Sequence, residues 1–109
     1  MPIPDAEQAV VAKEKVQDYL LNTDHPVGGP KAIWFTAIGY SPDKWQELAD
    51  DLLNLVRTSD DFVAKPSPFG VKYEVRGEIG RPGYRPGRIL SVWIVEGNAP
   101  PRLVTAYPG

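Results

Sequence analysis

The chain has 109 residues, 42% of them hydrophobic, no cysteine and a formal net charge of −2. That length supports one modest core, so residues 1–109 read as a single domain, and the missing cysteine excludes a disulfide framework, a thiolate nucleophile and a Cys-based zinc site. The apolar runs are far shorter than the roughly 20 residues needed to span a bilayer, and "MPIPDAEQAVVAKEKVQ" lacks the basic-then-apolar order of a signal peptide, so a cytoplasmic location is expected.

Charge is unevenly placed. Residues 1–61 hold five Lys or Arg against eleven Asp or Glu, whereas residues 62–109 hold seven against three. An acidic half followed by a basic half can put a positive surface on one face of a protein that is acidic overall, and a partner within a Debye length feels the local surface. The alternative is charge scattered over a solvated exterior.

From Asp5 onward Ala9, Val10, Ala12, Val16, Tyr19 and Leu20 recur at three- and four-residue steps, which predicts an amphipathic helix over about 5 to 21. "NTDHPVGG" ends it, because the residue before proline leaves the helical region and two glycines cannot sustain a helix. Pro30 suits a first helical position and Gly39 the position after the last, giving a short buried helix over 30 to 38. Ser41 as N-cap and Pro42 at N1 open a third helix reaching about residue 57, with Trp45, Leu48, Ala49, Leu52, Leu53 and Val56 as its apolar stripe.

Near residue 60 the apolar period falls from 3.6 to 2. "GVKYEVRGEI", "GRILSVWIVEG" and "PRLVTAYPG" read as strands fenced by Gly and Pro, and "DFVAKP" as a weaker edge strand. Trp93, in a strand apolar on both faces, is expected in the core. The fold class is therefore α+β: three N-terminal helices packed on a C-terminal antiparallel meander of three to four strands.

Two places offer chemistry. In "HPVGGPKA", glycines lead into a helix N-terminus, where free N–H groups attract anions. Lys31 in the first turn has the wrong sign for the helix dipole unless a bound anion compensates it. A nucleotide-binding P-loop is excluded, since Pro30 and Ala32 flank the lysine where Gly and Ser or Thr are required. His25, Gly28, Gly29 and Lys31 thus form a candidate anion site; the plainer account has His25 in a turn and Lys31 reaching to solvent. In "PRLVTAYPG", alternation places Arg102, Val104 and Ala106 on one face and Leu103, Thr105 and Tyr107 on the other, with Leu103 pointing the second set toward the helices.

The order "YLLN", "HPVG" with the following "KA", "VWIV" and the terminal "RLVTAYP" resembles a bacterial domain-of-unknown-function family of small toxin-like proteins, along nearly the whole chain. Helices followed by a meander that ends in such a strand is also similar to the barnase, EndoU, colicin and RelE-like ribonuclease toxins, a likeness of fold. The resemblance implies a metal-independent ribonuclease-like toxin of a toxin-antitoxin or polymorphic toxin system, needing no cofactor, with RNA as substrate and a neutralising antitoxin or immunity protein as partner. RNA cleavage requires a proton acceptor, a proton donor and cations for the phosphorane. His25, Lys31, Thr105 and Tyr107 are the candidate catalytic set, and Gly28, Gly29, Arg88 and Arg102 the candidate substrate-binding set. No His and carboxylate cluster stands at metal-ligand spacing, and the net negative charge disfavours tight nonspecific binding to nucleic acid. The rival expectation is a non-enzymatic module that binds a protein through the third helix or a strand edge.

Overall fold

A computed structural model describes residues 1–27 and 29–109. Helices come first and an antiparallel four-stranded sheet follows, in the order β1 (Phe62–Ser67), β2 (Gly70–Ile79), β3 (Gly87–Val95) and β4 (Arg102–Pro108), each strand beside its sequence neighbour. The change of period at residue 60 marks that boundary, since side chains at every second position can serve a sheet with one covered face.

The first helix departs from expectation. Ala6–Gln8 is a single 3₁₀ turn, and regular helix appears only at Lys13–Lys15 (α1), which continues as a π-helical turn over Val16–Leu20. Between them the chain is extended and pairs with the sheet edge: Val10 N–H donates to Pro101 O at 2.8 Å and Leu103 N–H donates to Val10 O at 3.1 Å. The β-branched pair Val10 and Val11 favours that conformation, and the bridge satisfies donors that a helix would have used internally. Ile3, Ala6 and Ala9 are still buried, so apolar spacing alone misread a strap as a helix.

The next two helices follow the signals that predict them. α2 spans Gly29–Ala37 and stops before Gly39, whose φ of 106° only glycine adopts without strain. A 3₁₀ turn at Pro42–Lys44 leads into α3, Trp45–Thr58; Ser41 precedes that turn with extended backbone, but its hydroxyl makes no capping bond. α3 lays Leu48, Leu52, Leu55 and Val56 on the sheet. The close approach of Leu55 leaves no room for a Cβ at Gly77, which is why β2 carries glycine there.

Register assigns the two faces of the sheet. Val75, Ile79, Ile89, Trp93, Leu103 and Ala106 join the helices in one core, and Trp93 is fully buried, as expected. Its indole N–H donates to Ser91 Oγ at 2.9 Å, and Ser91 Oγ donates to Val75 O at 3.0 Å, so a buried polar side chain satisfies a buried indole.

β4 breaks the simple alternation. Val92 pairs with Thr105 but Trp93 pairs with Leu103, leaving Val104 as the extra residue of a bulge. One extra residue reverses every side chain beyond it. Leu103 and Ala106 therefore share the core face, while Thr105 and Tyr107 lie with Arg102 on the opposite face, correcting the grouping read from the sequence.

Candidate functional site

The site begins with the turn after the π-helical segment. Leu21 N–H donates to Val16 O at 2.9 Å, the widened bond of a π turn, a feature that recurs at functional sites. Asn22 Oδ1 then accepts Asp24 N–H at 3.0 Å, and His25 N–H donates to Asn22 O at 3.1 Å. His25 Nδ1 accepts Val27 N–H at 3.0 Å, which sets the imidazole as its Nε2–H tautomer. Gly29 N–H is turned inward to His25 O at 2.8 Å, and a Cβ there would stand 2.7 Å from Thr23 O. Gly29 thus lets α2 start hard against the turn, while Gly28 lies outside the described residues.

Two turns meet at a lysine. Lys31 Nζ donates to Tyr19 Oη at 2.8 Å and to Thr105 Oγ1 at 3.1 Å. The same ammonium lies 5.0 Å from the Tyr19 ring centre and 5.3 Å from that of Tyr107. His25 packs edge-on against Tyr19 with ring centres 5.0 Å apart. His25, Lys31, Thr105 and Tyr107, widely separated in sequence, are thereby joined, His25 through Tyr19 and the two β4 residues through Lys31, and Lys31 is held against the rings and hydroxyls rather than extended to solvent.

The Lys31 hydrogen bond holds the Tyr19 phenol below its ordinary pKa; burial opposes this, and the Thr105 hydroxyl and the charges of Lys31 and Lys15 reinforce it. Thr105 Oγ1 accepts from the ammonium, and its own O–H is directed to the Tyr19 oxygen, the hydrogen bond by which it helps lower the phenol's pKa.

The cluster stands at one edge of the sheet face turned away from the helices. Register lays that face out in rows: Arg76, Leu90 and Tyr107; Glu74, Val92 and Thr105; Lys72, Ile94 and Arg102; and Glu78 with Arg88. Lys65 is bound to Glu74 at 3.0 Å, and Arg102 grips Glu96 through Nε at 3.1 Å and Nη2 at 2.7 Å. Among the described residues Lys72, Arg76 and Arg88 enter no ion pair. With strands spaced about 4.8 Å apart, Arg76 stands roughly 10 Å across the sheet from Tyr107, and Arg88 is one pleat from the same row.

The sequence missed Tyr19, Arg76 and Lys72. Tyr19 falls on the apolar stripe of the expected first helix, although it sits in "YLLN", six residues before the histidine. Arg76 and Lys72 become visible only once register places their strand beside β3. Arg88 and Arg102 fall at opposite ends of the face, and Arg102 is already engaged.

Among the described residues no three His, Asp or Glu side chains gather to hold a metal ion, and no helix is long and apolar enough to cross a membrane. A chain of the contact-dependent growth inhibition toxin–immunity protein complex from Klebsiella pneumoniae 342 has the same fold, with a TM-score of 0.76 over 92% of this chain and 99% of that one, at 16% sequence identity. No curated protein matches the chain. A family model does, over residues 2–109, and the chain belongs to the family described as a domain of unknown function, DUF6883.

Proposed function

We propose that this protein is a toxin-like ribonuclease that cleaves RNA without a metal ion, at the Lys31 cluster. The observation that carries the reading is an ammonium held between two hydroxyls and two aromatic rings, at the edge of a sheet face whose cations Lys72, Arg76 and Arg88 are unpaired among the described residues. The fold shared with a chain of a toxin–immunity complex supports the toxin part of it.

In the proposed reaction the ionised fraction of Tyr19 takes the proton of a ribose 2′-hydroxyl, and the 2′-oxygen attacks the adjacent phosphorus. The bond to the 5′-oxygen breaks, and the Lys31 ammonium gives that oxygen its proton. The products are a 2′,3′-cyclic phosphate and a 5′-hydroxyl, and proton transfer from Tyr19 to Lys31 along their 2.8 Å hydrogen bond restores both groups. As Tyr19 takes up the proton, the Thr105 O–H turns from its oxygen to the phosphoryl oxygens, His25 packs edge-on against Tyr19, and Tyr107 holds the ammonium by its ring. Arg76 and Arg88 receive neighbouring phosphates.

Incubation of purified protein with a tRNA and mRNA mixture in EDTA tests this reading. Cyclic phosphate ends should appear, and Lys31→Ala should lower the rate by ~10² to 10⁴-fold. RNA left intact both in EDTA and with added Mg²⁺, together with harmless expression in bacteria, would overturn it. That result would favour a non-enzymatic protein-binding module, for which β1 supplies the outer sheet edge, with Val63 46% exposed on it and Phe69 77% exposed in the turn that follows. A toxin of this kind calls for a neutralising immunity or antitoxin protein, so co-expression with a neighbouring gene product should relieve growth inhibition.

A further inference from the structure

Beside the Lys31 cluster lies a shallow depression of about 340 Å³, largely open to solvent and lined by Glu14, Lys15, Asp18, Tyr19 and His25. It shares Tyr19 and His25 with the cluster but differs from it in charge, for two carboxylates stand on its wall. A phosphate is repelled there, whereas a neutral ring bearing hydrogen-bond donors is not. Glu14 and Asp18 are four residues apart, a like-charge spacing that costs a helix a few tenths of a kcal/mol and that donors from a ligand would offset. Lys15, whose Nζ lies 5.6 Å from the Tyr19 ring centre, places one cation beside the acids. The volume falls at the lower end of the ~300–1,000 Å³ range of small-ligand sites.

Resting on the ribonuclease reading, we infer that this depression holds a guanine base next to the scissile phosphate, packed against Tyr19 and His25, with Asp18 accepting from its N1–H and N2–H₂ and Lys15 donating to its O6. Of the four bases only guanine presents two adjacent donors to a carboxylate's two oxygens and an acceptor beside them for a cation; adenine and cytosine offer one donor group, and uracil a single N–H between two acceptors. Stacking on the aromatic wall serves any base, so discrimination falls to Asp18 and Lys15. Asp18 takes no part in the proton transfer, so its variant reads the base preference alone, whereas the Lys15 charge also helps lower the Tyr19 pKa.

The test reads binding and cleavage separately. 5′-GMP titrated into the full chain should shift the NMR signals of Tyr19 and His25. 5′-IMP, which lacks the N2 amino group, and 5′-AMP should bind about 5- to 150-fold more weakly, the discrimination of one bidentate pair. Asp18→Asn and, as a second variant, Lys15→Met should remove the preference for GMP, and both positions tolerate substitution because neither is buried. Oligonucleotides with a single G should be cut next to it. RNA cleavage that ignores G and is unchanged in both variants would overturn the guanine site and leave the nuclease standing. GMP preference lost in Asp18→Asn, with RNA uncut, would support the site and sink the nuclease. Equal binding of all nucleotides would overturn the inference outright.

Discussion

Lys31 Nζ stands 2.8 Å from the hydroxyl of Tyr19, so a helix start and a π-helical turn twelve residues upstream share one proton-bearing contact. This contact, more than the histidine in the turn, organises the site: it joins the elements carrying His25 to the strand carrying Thr105 and Tyr107.

Replacing Lys31 by Met should return the Tyr19 phenol to its ordinary titration range, because the hydrogen bond to Lys31 is the first cause of its lowered pKa. The folded-state pKa lies below the unfolded one. Ionisation of Tyr19 therefore adds stability as pH rises through the folded pKa, fully above the ordinary value near 10, and loses it as pH falls back through the folded pKa. Tyrosinate absorbance should show one early-titrating tyrosine in the wild type and none in Lys31→Met. An unchanged curve would mean that the contact does not control the phenol.

The buried relay through Ser91 predicts a stability defect away from the site. Ser91→Ala deprives the Trp93 N–H, in a fully buried indole, of its acceptor. Leaving such a donor unsatisfied costs about 1–3 kcal/mol. Thermal melting should drop by roughly 4–8 °C for each kcal/mol in a domain of this size, with activity at low temperature unchanged. A melting temperature within a degree of wild type would show that the indole finds another partner.

Tyr40 ties α2 to α3 and to the segment after β2. Its hydroxyl donates to Asp51 Oδ2 at 2.6 Å, and Arg81 bridges Asp51 at 3.4 Å and Glu47 at 3.2 Å. Burial, then the Asp51 hydrogen bond, push the Tyr40 pKa well above its ordinary value, while Arg81 opposes. A raised folded-state pKa contributes stability that is whole below the unfolded value near 10 and is lost as pH climbs beyond it. Tyr40→Phe should cost about 1.5–3 kcal/mol at neutral pH, as for a hydrogen bond to a charged group, and should flatten the alkaline fall in stability. Chemical denaturation at pH 7 and above pH 10 checks both parts; equal alkaline slopes for the two proteins would refute the second.

Much of this was legible in the sequence because local rules and global packing agree there. Gly39 past α2, the stripe of α3 and the alternation of β2 each have one physical solution, and the structure adopts it. Residues 5–21 misled because Ala9 and Val16 are buried at a helical spacing for different reasons, one in the strap along β4 and one in the π turn. Thr105 and Tyr107 could be named but not faced, since the bulge at Val104 depends on β3, which the strand's own pattern does not contain. Tyr19 was hidden by amphipathy itself: its ring serves the core edge and its hydroxyl the site.

The basic face makes a quantitative demand. If Arg76 and Arg88 receive phosphates beside Tyr107, each Ala substitution should weaken RNA binding about uniformly across sequences and lower the slope of log affinity against log salt by about 1. Lys65→Ala is the control. That side chain lies on β1, at the far edge of the same face and bound to Glu74, so the slope should not change. Arg102 separates field from contact. Glu96 holds its guanidinium through two hydrogen bonds, so Glu96→Gln releases a cation on the strand that carries Thr105 and Tyr107, and affinity should rise where Arg102→Ala lowers it. Filter binding of a short RNA by Lys31→Ala versions of these variants, which cannot cut the probe, gives all the slopes under one condition. Should Lys65→Ala lower the slope as much as Arg88→Ala, the interaction is diffuse attraction to a charged surface, and the path laid out by the rows from Arg76 to Tyr107 is not the one RNA takes.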